Sequence, residues 1–229
     1  MTTVQAPTVW IYGGVHHVPG TRQRFLEELT KEETAPHFVA VEWEQSVFER
    51  LAAWRPWIAE GLRRRWDFLT GEDCHELSLA LAWEGDAYAE CFPGTDVLWL
   101  ESGLQEAELT RRYDTGASTF PESCAHGLLQ RLYCRPTVTA ARPEPRSKQE
   151  LIDRMSRDMW HEASLSTPSS VERDARWASA ICERSRGLRD GWIAVVVGWE
   201  HADPQGGNQR LRGHLAERGF CVNSACLRP

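Results

Sequence analysis

Short apolar runs alternate with longer amphipathic stretches along most of this 229-residue chain. Apolar runs that are rich in β-branched and aromatic residues and bounded by turn residues are typical of strands. They predict strands over residues 8–12, 38–41, 96–101 and 193–197. Because helical patterns separate these runs, the sequence predicts an α/β fold in which helices flank a central, mostly parallel or mixed sheet.

Capping residues and prolines mark several of the helices. Thr21 is predicted to cap a first helix, and Ser46 with Glu49 has the spacing of a capping box at the start of a second. Pro56 should interrupt that second helix, because proline breaks the helical hydrogen-bond ladder. Residues 77–92 are rich in alanine, leucine and tryptophan and predict a buried helix.

The second half of the chain continues the alternation. Helices are predicted around residues 124–132, over 148–161, from 169 or 170 to 186, and over 208–217. No shift in composition marks a second domain, so residues 1–229 are predicted to form a single domain.

Charge and cysteine usage exclude several classes of function. The net charge of −7 argues against a nucleic-acid surface. No apolar run approaches the ~20 residues of a membrane-spanning helix, and the N-terminus lacks the pattern of a secretory signal. The seven cysteines contain no Cys-x-x-Cys pair, which favours free thiols in a reducing compartment. We therefore expect a cytoplasmic protein without nucleic-acid or membrane partners.

Two of the predicted strands end in the same way. Residues 10–17 run from an apolar segment through two glycines to His16 and His17, and residues 193–201 run through one glycine to His201. A glycine past the end of a strand lets the backbone turn sharply. Open α/β sheets bind their ligands at the carboxyl edge of the strands. The repeated pattern therefore predicts two histidines at one ligand-binding edge.

Acidic residues stand at the ends of other predicted elements. Glu42 and Glu44 follow the second strand, and Glu172, Arg173 and Asp174 open a helix. Histidines together with carboxylates suit Zn²⁺, Mn²⁺ or Co²⁺, which lower the pKa of bound water. Without a metal, the same groups support general acid–base chemistry. Alternation along a strand would place both strand-end glutamates on one side, so which of them faces the cleft stays open.

Structural roles account for some of these residues as well. Glu172 lies three residues after Ser169, the spacing of a capping box, and Asp174 complements the helix dipole. His16 and His17 are adjacent, so at most one of them points easily at a common centre. The sequence does not decide which one does.

These motifs resemble those of the TraB/Tiki group within the erythromycin esterase–ChaN-like superfamily. Residues 14–22 resemble the family's Gly-Thr-x-His-Val-Pro opening, which places His17 on the family histidine. The strand that ends at Glu42 resembles the family's strand with a Val-Glu-Leu ending. Residues 172–178 are similar to a Glu-Arg-Asp/Asn-x-x-Met-Ala helix start, and residues 198–201 resemble the second Gly-x-x-His motif.

The chain also departs from the family pattern. Val15 replaces the usual threonine, Trp199 and Glu200 replace small residues, and residues 202–204 differ from the usual continuation. The family includes metal-dependent proteases, metal-free esterases, haem-binding proteins and pheromone-shutdown proteins. The resemblance therefore bears on the fold and on the site more than on the substrate.

The resemblance implies a hydrolase for peptide or small-molecule ester bonds, with an erythromycin esterase/ChaN-like fold and its site at the carboxyl edge of the sheet. His17 and His201 would bind a divalent Mn, Co or Zn ion, with Glu42 as a third ligand or general base. Glu172 would be a ligand or a water-orienting carboxylate, and Arg173 would stabilise an oxyanion or a substrate carboxylate. One alternative is a non-enzymatic protein that binds haem or a small peptide in the same cleft. Another is an interaction protein in which the histidines only pack.

Overall fold

A computed structural model of the chain describes residues 6–101, 144–165, 171–202 and 210–228. Within these ranges, five parallel strands form one sheet in the order β3-β2-β4-β1-β5. The strands are β1 (Thr8–Gly14), β2 (Val39–Val41), β3 (Val97–Trp99), β4 (Trp192–Gly198) and β5 (Cys221–Cys226). The predicted α/β architecture is confirmed, and the described sheet is wholly parallel.

Helices connect and flank these strands. They are α1 (Pro19–Leu29), α2 (Gln45–Ala53), α3 (Arg55–Arg65), α4 (Gly71–Ser78), α5 (Lys148–Leu165), α6 (Val171–Arg184), α7 (Trp199–Ala202) and α8 (Leu211–Glu217). Two short 3₁₀ turns, Trp83–Gly85 and Ala87–Glu90, lie between α4 and β3. Within the described residues, no helix combines the length and the apolar character needed to cross a membrane.

The sheet has a hydrophobic core on each of its faces. On one face, Tyr12 and Val196 pack with residues of helices α1 to α5. On the other, Ile11 and Val195 pack with residues of α6, α7 and α8. Successive side chains of a strand point to opposite faces. Strands that are buried on both faces are apolar without alternation, which is why β1 and β4 are continuous apolar runs in the sequence.

The register of the parallel strands brings their ends together. Gly14 at the end of β1 is paired with Gly198 at the end of β4, and Val41 of β2 is paired with Val196. Because all the strands run in the same direction, the residues that follow them emerge at one edge of the sheet. The predicted juxtaposition of strand-end residues is therefore present.

Two predicted helix starts are wrong. Helix α1 begins at Pro19, two residues before Thr21, because proline fits the first helical turn and has no N–H to leave unpaired. Helix α2 has no side-chain cap hydrogen bond; Ser46 donates to Glu44 and forms no capping box with Glu49. Side chains near a helix start can form hydrogen bonds with each other instead of with the free backbone N–H groups.

The long helix predicted over residues 77–92 is also wrong. Helix α4 ends at Ser78, and Ala82 takes a left-handed conformation with φ of 53°, which a helix cannot contain. Strand β5 was not predicted, since its sequence contains one β-branched residue and two cysteines. The helix predicted around residues 124–132 lies outside the described residues.

Other boundaries are confirmed. Pro56 lies in the first turn of α3, where it separates that helix from α2. Helix α5 begins at Lys148 as predicted, and Gly187 follows α6 with φ of 86°. Glycine takes this left-handed conformation without steric penalty, so it ends the helix cleanly.

Gly13 lets β1 and α7 approach closely. A Cβ atom at Gly13 would lie 2.3 Å from Cβ of Ala202. Gly13→Ala is therefore expected to lower the free energy of unfolding by about 1–3 kcal/mol, the usual effect of overpacking a core. Urea unfolding followed by circular dichroism measures the change.

Gly71→Ala is the matched control. A Cβ atom at Gly71 would meet nothing within 4 Å, and this glycine lies at the start of α4. Alanine is the better helix former there, so this variant should be as stable as the parent or more stable. Equal unfolding midpoints for the two variants would contradict the close approach of β1 and α7.

Candidate functional site

Polar side chains from four strand ends form one cluster at the carboxyl edge of the sheet. His16 follows β1, Glu42 follows β2, Glu101 follows β3, and His201 lies in α7 directly after β4. Glu42, Glu101 and His201 are buried, whereas 32% of the His16 side chain is exposed. The cluster therefore reaches solvent on the His16 side.

Glu42 lies between the two imidazoles. Its Oε1 accepts a hydrogen bond from Arg173 Nη2 at 2.7 Å and lies 3.5 Å from Nε2 of His201. Its Oε2 accepts from the backbone N–H of Gly198 at 2.6 Å and lies 3.9 Å from Nε2 of His16. Burial alone would raise the pKa of Glu42, but His201, His16 and Arg173 hold that pKa well below its ordinary range. Glu42 is thus an ionised carboxylate shared by four groups: two imidazoles, one guanidinium and one backbone N–H.

His201 is completely buried and is oriented by a second carboxylate. Its Nδ1 donates to Oδ1 of Asp174, which is also completely buried. Nε of Arg210 lies 2.9 Å from the other Asp174 oxygen, as an ion pair without hydrogen-bond geometry. Burial would lower the pKa of His201, but Glu42 and Asp174 raise this pKa to about 9. Because the Asp174 carboxylate only accepts, Nδ1 carries the hydrogen and Nε2 is directed toward Glu42.

His16 is oriented in the same manner by Glu84. Nδ1 of His16 lies 2.5 Å from Oε1 of Glu84, whose Oε2 accepts from Nε1 of Trp43 at 3.2 Å. Burial would lower the pKa of His16, but Glu84 and Glu42 raise this pKa. Each imidazole thus has a buried carboxylate on Nδ1 and directs Nε2 toward one oxygen of Glu42.

Arg173 connects the cluster to solvent. It lies in the first turn of α6 and donates from Nε to Glu101 and from Nη2 to Glu42, both at 2.7 Å. Its guanidinium carbon stands 4.6 Å from the centroid of the Trp177 ring, a cation–π contact. Arg176 donates to the second Glu101 oxygen at 2.8 Å. Since 29% of its side chain is exposed, Arg173 can also meet a ligand.

The cluster has more negative than positive charge while both histidines are neutral. Five carboxylates contact the two imidazoles or the three guanidinium groups of the cluster, which leaves an excess of two negative charges. These groups are Glu42, Glu84, Glu101, Asp174 and Glu200, against Arg173, Arg176 and Arg210. Two protons on the imidazoles, or one divalent cation, would balance the excess.

The structure distinguishes the two adjacent histidines. His16 faces Glu42, whereas Nδ1 of the buried His17 accepts a hydrogen bond from the backbone N–H of Ala82 at 3.1 Å. His17 takes a left-handed conformation with φ of 63°, and although the two ring centroids lie only 6.1 Å apart, the side chains contact different partners. The motif comparison had placed His17 on the family histidine, but the residue brought to the cluster is His16.

The structure also shows which of the predicted carboxylates belong to the cluster and which do not. Glu172 is exposed on α6, whereas Asp174, two residues later, contacts His201. The proposed capping partner Ser169 lies outside the described residues. After β2, Glu42 enters the cluster, while Glu44 accepts a hydrogen bond from Ser46 at the start of α2. The structure therefore brings together His201, Glu42 and Arg173 of the predicted set, but not Glu172.

Glu84 carries no signal of a site in the sequence, since the composition of its segment predicts a buried helix. For Asp174 the sequence indicates a charge at a helix start, and Arg210 lies in the helix predicted over residues 208–217, where nothing in the pattern points to a site. The signal that was available for Asp174 is its place next to Arg173 in the Glu-Arg-Asp motif.

The donors of this cluster fit a divalent cation in type and charge. Nε2 of His201 is buried and has no hydrogen-bond partner among the described residues, although oxygens of Glu42 and Glu200 lie 3.5 and 3.6 Å away. Imidazole nitrogen and carboxylate oxygen are ligands of Zn²⁺, Mn²⁺ and Co²⁺. In the described part of the chain, however, no three such side chains are already arranged as a metal site. A cation would compete with the bonds that Glu42 makes to Arg173 and Gly198.

Comparisons with known proteins identify no relative of this chain. The chain matches no protein-family model, and no curated protein or solved structure matches it significantly. The resemblance to the TraB/Tiki group therefore stays a prediction, and the function must be argued from the cluster itself.

Proposed function

We propose that this chain is a hydrolase of peptide or ester bonds that holds a divalent cation with His16, Glu42 and His201. The observation that carries the proposal is the orientation of the two imidazoles. Each has a buried carboxylate on Nδ1 and directs Nε2 toward Glu42. Carboxylates in this position fix the tautomer and orientation of histidines that bind metals. The excess of two negative charges is what a divalent cation would balance.

The residues of the chain have separate roles in this proposal. Asp174 and Glu84 keep Nδ1 of the two histidines protonated, so that Nε2 can donate its lone pair. A bound cation lowers the pKa of water and polarises a carbonyl group. Arg173 stands between Glu42 and solvent, where its guanidinium can bind an oxyanion or a substrate carboxylate.

A second candidate is a hydrolase that works without a metal. His201, with its pKa raised to about 9, lies 3.5 Å from the ionised Glu42, which places a proton donor beside a fixed carboxylate. Such a pair can protonate a leaving group and stabilise the positive charge on the imidazole before the transfer. The two candidates use the same residues, so loss of activity in a variant does not separate them, whereas metal content does.

Elemental analysis of the purified protein without a histidine tag tests the proposal. We expect about one equivalent of Zn, Mn or Co per chain, and none in the double variant His16→Ala/His201→Ala. His75→Ala is the control, because this histidine is exposed on α4. Equal metal content in the parent and in the double variant would contradict the proposed ligands.

The metal-loaded protein is then screened on peptide and ester substrates. Activity that is lost on chelation and restored by the metal supports the first candidate. Activity that persists after chelation supports the second. If no metal binds after reconstitution and no substrate is hydrolysed, the hydrolase proposal fails. The ligand-binding alternative is then tested by haem titration. A Soret band that appears in the parent and is absent in His16→Ala would support haem binding.

The proposal keeps the predicted cytosolic location. The described cysteines are free thiols, which is the state that a reducing cytosol favours. A peptide or a small-molecule ester in that compartment is the proposed substrate class.

A further inference from the structure

One short segment contacts both adjacent histidines. The backbone N–H of Ala82 donates to Nδ1 of His17 at 3.1 Å, and Oε1 of Glu84 accepts from Nδ1 of His16 at 2.5 Å. Residues 82–85 therefore contact the side chains of two consecutive residues.

The backbone is unusual on both sides of this contact. His17 has φ of 63° and Ala82 has φ of 53°, and both are non-glycine residues in the left-handed region. Such conformations persist only where the surrounding structure imposes them, and they concentrate at functional sites. Here the two strained residues are hydrogen-bonded to each other, so the same contact fixes both.

The segment itself is held in place from several directions. Arg55 donates to the carbonyl oxygen of Leu81 and pairs with Asp86, so it binds the chain on both sides of the segment. A Cβ atom at Gly85 would lie 2.2 Å from the Phe48 ring, which shows how closely the turn packs against α2. The segment is thus a rigid support for whatever it contacts.

Glu84 has little freedom to turn. It is 1% exposed, and its second oxygen accepts from Nε1 of Trp43. The Trp43 ring also packs against both histidine rings, with centroid distances of 5.3 Å to His16 and 5.6 Å to His17. Both oxygens of Glu84 are therefore engaged, and its bond to His16 has a defined direction.

We propose that residues 82–85 form a clamp on the histidine pair, in which Glu84 and His17 are positioning residues that direct Nε2 of His16 toward Glu42. The inference rests on the proposed function, because the direction of Nε2 matters when His16 binds a metal. The contacts of the clamp themselves are present in the metal-free protein. It assigns His17 a role other than that of a ligand.

Nitrogen NMR of the histidine side chains tests the clamp without any metal or substrate. In the ¹⁵N-labelled parent, Nδ1 of His16 is expected to show the shift of a protonated nitrogen, with the assignment made by His16→Gln. Glu84→Ala removes the acceptor, so this resonance should move toward the average of two exchanging tautomers. Glu84→Gln keeps an acceptor oxygen and should restore part of the parent shift. An unchanged His16 spectrum in Glu84→Ala would overturn the clamp.

Titration with Zn²⁺ alone then measures the consequence for the site. Glu84→Ala is expected to bind Zn²⁺ roughly 10–100-fold more weakly than the parent, the usual effect of removing a group that orients a metal ligand. Glu84→Gln should fall between the two. Ser185→Ala removes a buried hydroxyl just after the C-terminal end of α6, the end opposite to Arg173 and Asp174, and should leave the affinity unchanged.

The two measurements separate failure of the clamp from failure of the proposed function. If the parent binds no Zn²⁺, the metal proposal fails, while the NMR result still decides on the clamp. If the parent and Glu84→Ala bind Zn²⁺ equally, Glu84 does not position His16 for the metal and the inference is overturned. If Glu84→Ala does not fold, Trp43→Phe keeps an aromatic ring at this position but removes the indole N–H that donates to Glu84. A shift of the His16 resonance in that variant supports the clamp, and an unchanged resonance contradicts it.

Discussion

Asp174→Ala will lower the free energy of unfolding by about 3–5 kcal/mol, because it breaks a buried network of charges by removing one partner. Asp174 is fully buried between His201 and Arg210. The alanine variant leaves two cationic side chains without their shared carboxylate, and His201 is completely buried while Arg210 is mostly so. Urea unfolding of the parent and the variant at neutral pH measures the loss.

Glu172→Ala is the matched control for this prediction. It removes a carboxylate from the same turn of α6, but the side chain of Glu172 is exposed. We expect no measurable change in stability, since surface substitutions away from specific contacts have small effects. If both variants lose the same stability, the contribution of Asp174 comes from its place at the helix start and not from the buried network.

The second large effect is expected from the histidine pair. His16→Ala should weaken Zn²⁺ binding by more than the roughly 10–100-fold that removal of an orienting group costs, because it removes a proposed ligand. His17→Asn should weaken binding less. Asparagine tolerates the left-handed backbone of residue 17, and its side-chain oxygen can accept a hydrogen bond from Ala82.

Isothermal titration of the two variants with Zn²⁺ makes this comparison, and unfolding curves confirm that both are folded. The opposite order of affinities would mean that His17 is the ligand, as the motif comparison implied. In that case the left-handed turn at residue 17 must rearrange when the metal binds.

The sequence predicted the strands where burial leaves a clear pattern. Strands β1 and β4 are buried on both faces, so their apolar runs identified them to within two residues at each end. Strand β5 lies at the edge of the described sheet and pairs only with β1 there. Since its side chains are mostly half-buried or exposed, its sequence needs no apolar run and gave no signal.

The part of the candidate site that lies directly after the strands can be predicted from the sequence. Parallel strands place the residues after them at one edge, and this brings Glu42 and His201 together whatever the details of the helices. The choice between Glu172 and Asp174 depends on the rotation of α6 about its axis, because residues two apart on a helix point in nearly opposite directions. The sequence alone does not fix that rotation.

Glu84 shows why composition misleads between the elements. Residues 77–92 are rich in good helix formers, and local propensity predicts a continuous helix. Tertiary contacts override that propensity: Arg55 and the left-handed Ala82 divert the chain so that Glu84 reaches His16. Functional sites are where such conflicts between local preference and global structure are expected.

The position of β1 in the middle of the sheet has a consequence for how the protein comes to be folded. In the described sheet, this first strand pairs only with β4 and β5, which begin at Trp192 and Cys221. Contacts between such distant parts of a chain form slowly, because the loop between them must close first. During synthesis, β1 therefore has no partner strand of the described sheet until residues 192–198 have left the ribosome. His16 and His201 meet only after β4 has paired with β1, so a chain that ends before His201 lacks the site altogether.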